Sequence, residues 1–186
     1  NTEGDSNVAI GNAMEQNTTG DNNTAVGGGA LQANTTASGN TAFGRIALAS
    51  NTTGANNVGV GFCALRESTT GSGNTSVGAC SLCHNTTASN NTAVGFCSLH
   101  ENTTGDLNTA VGLCAFSTQT TARKNTGVGS KVGASTTTGG SNVAMGQDSF
   151  RTNTTGSDNT AIGTLALFAN TTGIRNTAVG NQSSDA

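Results

Sequence analysis

The sequence has no proline, tryptophan or tyrosine, and aromatic residues make up only 3% of its 186 positions. Aromatic side chains usually supply much of the buried area of a globular core, so this composition cannot easily fill a thick one. Charged residues amount to 9%, with 7 Lys and Arg against 10 Asp and Glu, which leaves no basic stripe for nucleic-acid phosphates. No apolar run approaches the about 20 residues of a membrane-spanning helix. We therefore expect a thin-cored protein that neither binds nucleic acid nor inserts into a membrane.

Glycine, asparagine and threonine dominate instead, and they recur with a fixed period. An N-x-x-x-G element occurs eleven times, and after a first interval of sixteen residues every interval is seventeen. The elements begin at Asn7, Asn23, Asn40, Asn57, Asn74, Asn91, Asn108, Asn125, Asn142, Asn159 and Asn176. A disordered low-complexity chain has no reason to keep such a period. We assign residues 1–186 to a single repeat domain and number its coils 1 to 11 from these asparagines.

The repeat unit reads N-T-A-V-G-x-x-A-L-x-x-N-T-T-G-x-x, with positions 1 to 17. Position 5 is glycine in all eleven units, which indicates a turn with positive φ or a place without room for a Cβ atom. Position 4 is always apolar and position 9 is mostly leucine, in segments too short for helices. We predict an all-β fold: a parallel β-solenoid (β-roll or β-helix) of about eleven 17-residue coils, with two short strands per coil and columns 4 and 9 inside.

Stacking such units places position 1 in an uninterrupted asparagine ladder, at the about 4.8 Å spacing of paired strands. A single coil cannot bury its own apolar strip, so stability comes from neighbouring coils and the ends need caps or partners. The chain begins at position 12 of the unit and ends at position 11, so a second copy would continue the pattern in phase. We expect head-to-tail stacking, unless the phase reflects a domain boundary or a cut through a longer chain.

The N-T-A-V-G element resembles the S-V-A-I-G-type repeat in the heads of trimeric autotransporter adhesins. The nearest local matches are residues 8–11, V-A-I-G, and residues 142–146, N-V-A-M-G. Those heads are left-handed parallel β-rolls, usually with a shorter repeat, that form trimers and bind host surfaces or matrix. The extra N-T-T-G turn in most units is a departure from that repeat. The resemblance implies a roll and a role at a surface, and it carries over no catalytic residue.

Most units carry N-T-T at positions 12 to 14, which is an acceptor sequon for N-glycosylation. Asparagine and threonine also suit the turns of a solenoid corner, and this alone would explain the column. We nevertheless predict N-glycans along one edge, although rungs about 4.8 Å apart would crowd them. The predicted acceptors, including four sequons outside this column, are Asn17, Asn34, Asn51, Asn85, Asn102, Asn153, Asn170, Asn22, Asn74, Asn90 and Asn181. Glycosylation would imply passage through a secretory pathway.

Four of the five cysteines occupy position 7 of consecutive coils: Cys63, Cys80, Cys97 and Cys114. Stacked neighbours about 4.8 Å apart fall inside the Cα window of a disulfide. Bridges between Cys63 and Cys80, and between Cys97 and Cys114, are therefore feasible. The alternative is that the thiols stay free as small buried hydrophobes.

The string from Cys80 to His84 matches the C-x-x-C-H haem-attachment pattern, but Cys80 belongs to the repeat and a narrow roll offers no haem pocket. Cys83 should stack on His100, with His84 one residue along, yet the second half of a zinc ligand set is absent. We therefore assign no metal, and no cofactor apart from the covalent glycans. Both histidines are expected in exposed turns.

No carboxylate pair recurs at a fixed place and no pocket-forming insertion is indicated, so we predict that the chain is not an enzyme. We predict a secreted, extracellular glycoprotein that is the structural subunit of a filament or cell-surface fibre. Its partner would be another copy, in a head-to-tail filament or a trimer. The first alternative is an adhesin head or viral fibre module that binds a host glycan or matrix protein. The second is an ice-binding solenoid, because regular threonine columns could order surface water.

Overall fold

The computed structural model describes residues 2–184, which form one eleven-stranded parallel sheet whose strands are stacked in chain order. Within these residues there is no helix. Each strand has three residues, namely β1 Val8–Ile10, β2 Thr24–Val26, β3 Thr41–Phe43, β4 Val58–Val60, β5 Thr75–Val77, β6 Thr92–Val94, β7 Thr109–Val111, β8 Thr126–Val128, β9 Val143–Met145, β10 Thr160–Ile162 and β11 Thr177–Val179. The predicted fold class, an all-β parallel solenoid with a 17-residue repeat, is confirmed. Residues 1, 185 and 186, on which the predicted phase of the two termini depends, lie outside the described residues.

Like residues pair with like residues along the whole sheet. Ala25 pairs with Ala42, and Val77 pairs with Val94, with no slip of register between β1 and β11. The shorter first interval does not disturb this register, because Ala9 still pairs with Ala25. Each layer is therefore sealed only by the layers above and below it.

The core consists of positions 3, 8 and 9, and it does not include position 4. Ala93 at position 3 and Leu99 at position 9 are fully buried, whereas Phe43 at position 4 is 56% exposed. The prediction that column 4 lies inside is therefore wrong. Successive side chains of a strand point to opposite faces, so a strand that buries position 3 must turn positions 2 and 4 outward.

The second predicted strand of each coil is also absent in the described residues, which show one strand and a turn-rich segment per coil. Positions 7 and 9 adopt left-handed φ values, as at Cys97 (52°) and Leu99 (49°). A β-strand needs an extended backbone at every residue, so this alternation excludes one. The segment still bonds between layers, since the Leu99 N–H donates to the Ala115 carbonyl at 2.9 Å.

The glycine column at position 5 meets both conditions inferred from the sequence. Gly95 has a φ of 130°, a region that residues with a Cβ atom rarely adopt. A Cβ atom added there would lie 2.4 Å from the carbonyl oxygen of Gly112 in the next layer. Position 5 is therefore the place where adjacent backbones approach too closely for any side chain.

In coils 7 and 8 the core does not have leucine at position 9, and one larger side chain is balanced there by smaller ones. Phe116 takes position 9 of coil 7, and glycines take positions 3 and 9 of coil 8. A Cβ atom added to Gly127 or Gly133 would lie 2.5 Å or 2.1 Å from the ring of Phe116. The large ring thus occupies the space that the two glycines leave.

Candidate functional surfaces

The outward side chains of positions 2 and 4 form a continuous surface along the sheet, called here the sheet face. Position 2 is threonine or valine, and position 4 is valine, isoleucine, phenylalanine or methionine. The exposed side chains of position 4 range from 37% exposed at Val77 and Ile162 to 68% at Val179, and the others in this column are partly buried. Positions 2 to 5 contain no charged residue in any coil. The sheet face is therefore a long, regular surface of methyl and hydroxyl groups.

A second apolar surface lies at position 6 of coils 4, 6 and 7 and does not repeat along the chain. It consists of Phe62, Phe96 and Leu113, which are 47%, 54% and 45% exposed. We call these three residues the aromatic patch. The guanidinium carbon of Arg45 lies 5.9 Å from the centroid of the Phe62 ring, within cation–π range.

The asparagines of position 1 form an amide column, as predicted, which is buried from Asn23 to Asn159, partly buried at Asn7 and exposed at Asn176. The Oδ1 atom of Asn91 accepts the backbone N–H of Asn108 at 2.9 Å, and its Nδ2 group donates to the Gly105 carbonyl at 2.9 Å. The same backbone bond recurs at every step from Asn7 to Asn176. These side chains hold each coil to the next and close the turn before each strand.

The asparagines of position 12, seven of the predicted glycan acceptors, are also packed inside. In each of them the Nδ2 group donates to the carbonyl three residues on, and all except the partly buried Asn170 are buried. Asn34 also donates to the Oδ1 atom of Asn17 at 2.7 Å, so both of its amide hydrogens are used. A sugar is attached at Nδ2 and would replace one of these hydrogens. The folded coil therefore opposes glycans at Asn17, Asn34, Asn51, Asn85, Asn102, Asn153 and Asn170.

The position 12 column is interrupted where the asparagine is replaced. Ser68 and Gln119 follow Asn51 and Asn102 in the column, and the Oδ1 atoms of these two asparagines have no hydrogen-bond partner. Gln119 instead joins the two columns, because its Oε1 atom accepts from Asn125 at 2.9 Å.

The other four predicted sequons are placed differently. Asn22, Asn90 and Asn181 are exposed, whereas Asn74 is fully buried in the position 1 column. The backbone conformation of Asn22 and Asn90, with φ of 55° and 60°, is one that asparagine tolerates in turns. Glycosylation stays a prediction, and these three exposed asparagines are the sites that the fold leaves open to it.

The two threonine columns next to position 12 have different environments. At position 13 each hydroxyl from Thr18 to Thr154 donates to the threonine carbonyl of the next layer, at 2.8 to 3.4 Å. At position 14 the threonines from Thr19 to Thr172 are all exposed. Position 14 is therefore the column to which the ice-binding prediction applies, and that prediction stays untested.

All five thiols are free, so the structure does not contain the bridges predicted between Cys63 and Cys80 and between Cys97 and Cys114. Burial, followed by the neighbouring Cys80, raises the pKa of Cys63. Burial likewise raises the pKa of Cys97 to about 11 and that of Cys83 to about 12. These three thiols are protonated at neutral pH, and two of them, Cys63 and Cys83, are buried, whereas Cys97 is partly buried. Oxidation to the predicted pairs stays a prediction.

The two histidines lie on one edge of the rod. His84 is at position 11 of coil 5, and His100 is at position 10 of coil 6. The His84 and His100 rings have centroids 4.7 Å apart, and their side chains are 31% and 26% exposed. Both histidines lie in turns, as expected, but their rings are partly buried and not exposed. Glu101 contacts both, a residue that the sequence analysis did not single out.

A depression of about 400 Å³ lies beside Arg123 and Lys124, lined also by Thr121, Ala122, Thr138, Gly140 and Ser141. Arg123 is engaged by Asp106, with a nitrogen–oxygen distance of 3.0 Å. Within residues 2–184 the chain forms no helix long and apolar enough to cross a membrane.

No protein-family profile matches the sequence, and neither a curated protein nor a solved structure matches the chain.

Proposed function

We propose that the chain is the structural rod of an extracellular filament or surface fibre, and that it associates side by side with further copies through the sheet face. The observation that carries this proposal is the outward position of column 4. Eleven apolar residues in one uncharged, continuous line along the rod are costly to leave in water. A partner that covers the line would remove that cost.

A second copy of the chain is the partner that fits best. The sheet face repeats at the spacing of paired strands, and only a surface with the same period can match it over its full length. Another sheet face has this period, and no charge on either side opposes the contact.

The size of the face sets the strength of the contact. The eleven strands are spaced about 4.8 Å apart, and each three-residue strand is about 10 Å long. The sheet face therefore measures roughly 500 Å² on each partner, or roughly 1,000 Å² for a pair. That total lies at the lower limit for a specific interface, so a single pair would be weak. Three chains around a common axis could also cover the sheet face of each chain, which agrees with the trimers that the resemblance to autotransporter heads implies.

Head-to-tail stacking is compatible with this arrangement. The end strands β1 and β11 each have one unpaired edge within the described residues, and Ile10 and Val179 are 58% and 68% exposed. A second copy or further repeats of the same chain would pair there equally well.

The proposal is tested by sedimentation equilibrium of the wild type and of a variant carrying Val60→Thr, Val77→Thr and Val94→Thr. Threonine keeps the branched shape and the strand preference of valine, so the fold should persist. The wild type should sediment as a multiple of 18.2 kDa and the variant as a monomer. The matched control, with Thr70→Ser, Thr87→Ser and Thr104→Ser at position 14, should behave as wild type. A wild type that stays monomeric at high concentration would contradict the proposal.

A second candidate, a binding module of an adhesin or viral fibre, is favoured by the aromatic patch. Its three apolar side chains interrupt the repeat on one part of the rod, as a site for one specific partner would. Binding to glycan arrays and to immobilised matrix proteins should then be lost in the variant with Phe62→Ser and Phe96→Ser. The position 14 control variant should retain it.

Ice binding remains a third possibility with its own test. A thermal-hysteresis measurement on the protein would detect ice binding. If the hysteresis is lost when the exposed threonines of position 14 are replaced by valine, the activity belongs to that column.

A further inference from the structure

The chain has only two histidines, and the fold brings both onto one edge together with two glutamates. We call His84, His100, Glu101 and Glu67 the histidine cluster. Positions 10 and 11 of the other complete coils hold residues such as Gln32, Ala49, Ser117 or Phe168. Side chains that can coordinate a metal are thus concentrated in three consecutive coils, independently of the sheet face.

Three ligand atoms of the cluster converge. The Nδ1 atom of His84 lies 3.0 Å from Oε2 of Glu101, and the Nε2 atom of His100 lies 3.4 Å from Oε1 of the same carboxylate. One ligand atom from each of His84, His100 and Glu101 lies within 4.8 Å of the others. Two imidazoles and one carboxylate are a ligand set that zinc sites with an open position use.

The surroundings of His100 fix which of its nitrogens is available. Its Nδ1 atom lies 2.9 Å from the carbonyl oxygen of Cys80. A carbonyl only accepts hydrogen bonds, so Nδ1 carries the proton and donates it. In the neutral ring, Nε2 is then the atom with the lone pair that a metal needs, and this atom faces Glu101. A ligand histidine held by a backbone carbonyl through its other nitrogen is the usual second-shell arrangement of metal sites.

His84 has a corresponding outer partner. Its Nε2 atom lies 3.9 Å from Oε1 of Glu67, and Glu67 is itself paired with Arg66. This separation is too long for a hydrogen bond, so Glu67 acts on the ring from outside only through its charge.

We propose that Nδ1 of His84, Nε2 of His100 and the carboxylate of Glu101 bind a divalent transition-metal ion, of which Zn²⁺ is the most available. Zinc–ligand bonds of about 2.1 Å place tetrahedral ligand atoms about 3.4 Å apart, so one ligand atom from each of the three residues needs to close by at most about 1.4 Å from their present spread. Imidazole donors with a single carboxylate favour Zn²⁺, Ni²⁺ or Cu²⁺ over Ca²⁺ and Mg²⁺. The ion would join coils 5 and 6 at this edge.

The nearby thiols do not compete for the role. Cys83 occupies the same column as His100, but it is only 2% exposed, and its sulfur is not among the converging ligand atoms. The ligands are therefore nitrogen and oxygen atoms.

The test is isothermal titration of the chelator-treated full chain with ZnCl₂. The wild type should bind one ion, and His84→Gln, His100→Gln and Glu101→Gln should each weaken binding at least tenfold. Glu67→Gln should weaken it about tenfold through the loss of an outer partner. Glu15→Gln, which alters an exposed carboxylate in coil 1, should have no effect. Far-UV circular dichroism without metal should be the same for all variants.

Long-range ¹H–¹⁵N spectra of the histidine rings give a second readout of metal binding. The chain has only two histidines, so only two sets of ring signals have to be assigned. Zinc should shift the Nε2 signal of His100 while its Nδ1 stays protonated, and it should shift Nδ1 of His84. Absence of saturable binding, or binding that the three ligand substitutions leave unchanged, would reduce the cluster to an ion pair and overturn the proposal. Thiolate charge-transfer absorption on titration with Co²⁺ would overturn it as well, by assigning the metal to the cysteines.

Discussion

At the scale of single residues, the buried amides of position 1 link each coil to the next. Asn91, for example, accepts a backbone N–H from the next coil and donates to the carbonyl of position 15 in its own coil. In a narrow interior these polar groups have no access to water, so each bond that is lost leaves an unsatisfied group. Asparagine is required there because it supplies an acceptor and a donor from one short side chain.

We expect Asn91→Ala to reduce the free energy of unfolding by about 2 kcal/mol, since it leaves the Asn108 N–H without its acceptor and the Gly105 carbonyl with only the Asn102 amide as a donor. Urea unfolding followed by circular dichroism measures the loss. Thr87→Ala, at an exposed position 14, is the control and should change stability by less than about 0.5 kcal/mol. Equal effects of the two substitutions would show that the amide column does not hold the coils together.

The buried thiols make stability depend on pH in the alkaline range. Because the pKa of Cys83 is raised in the folded state from 9.0 to about 12, the folded chain retains a proton that the unfolded chain releases. The contribution is fully present below pH 9 and is lost as pH rises towards 12. The urea midpoint should therefore fall over this interval. Cys83→Ala should flatten the fall, whereas Ser117→Ala, at the same position two coils on, should leave its slope unchanged.

At the scale of the repeat element, the close approach of backbones at position 5 decides which residues are tolerated. Gly95→Ala should destabilise the protein by about 3 kcal/mol or more, because the added Cβ would meet a backbone oxygen and the φ of 130° is strained for alanine. Gly28→Ala, at position 6 of coil 2, is the control, since a Cβ atom added there has nothing within 4 Å. Thermal or urea unfolding of both variants gives the comparison. A harmless Gly95→Ala would mean that the layers are not stacked as described.

The exchange of volume between Phe116 and Gly133 is testable by a double-mutant cycle. Gly133→Leu alone should cost about 1–3 kcal/mol by overpacking against the ring, although leucine at position 9 adopts a similar φ elsewhere. Adding Phe116→Leu restores the leucine column in both coils and should recover most of that cost. Strictly additive effects in urea unfolding would show that the two residues do not share a space.

The sequence predicted the stacking of the repeat elements but not which side of the strand faces inward. Hydrophobicity alone favours Val77 over Ser76 for the interior, yet Ser76 is fully buried and Val77 is exposed. Side-chain size carries the better signal, because position 3 is restricted to alanine, glycine and serine while position 4 varies up to phenylalanine. Only a narrow interior imposes such a limit. The sequence analysis brought His84 and His100 together but missed Glu101, because a carboxylate one coil away from His84 forms no local motif with it.

At the scale of the whole molecule, the rod is a stack of nearest-neighbour contacts, roughly 50 Å long for eleven layers. The interior holds the asparagine columns beside the apolar core of positions 3, 8 and 9, whereas the apolar side chains of position 4 lie outside on the sheet face. This outward apolar line is the physical reason to expect that the sheet face is covered in the functional assembly. Glycan attachment and extracellular location remain predictions.

Photo-cross-linking tests this account most directly. Phe43 at position 4 is replaced by p-benzoylphenylalanine, which keeps the aromatic ring, and Thr53 at position 14 of the same coil receives the same residue as a control. On irradiation the probe at position 43 should give covalent dimers or trimers of the chain, and the probe at position 53 should give none. Cross-links from position 53 alone, or none from position 43 under conditions where the protein is oligomeric, would contradict assembly through the sheet face.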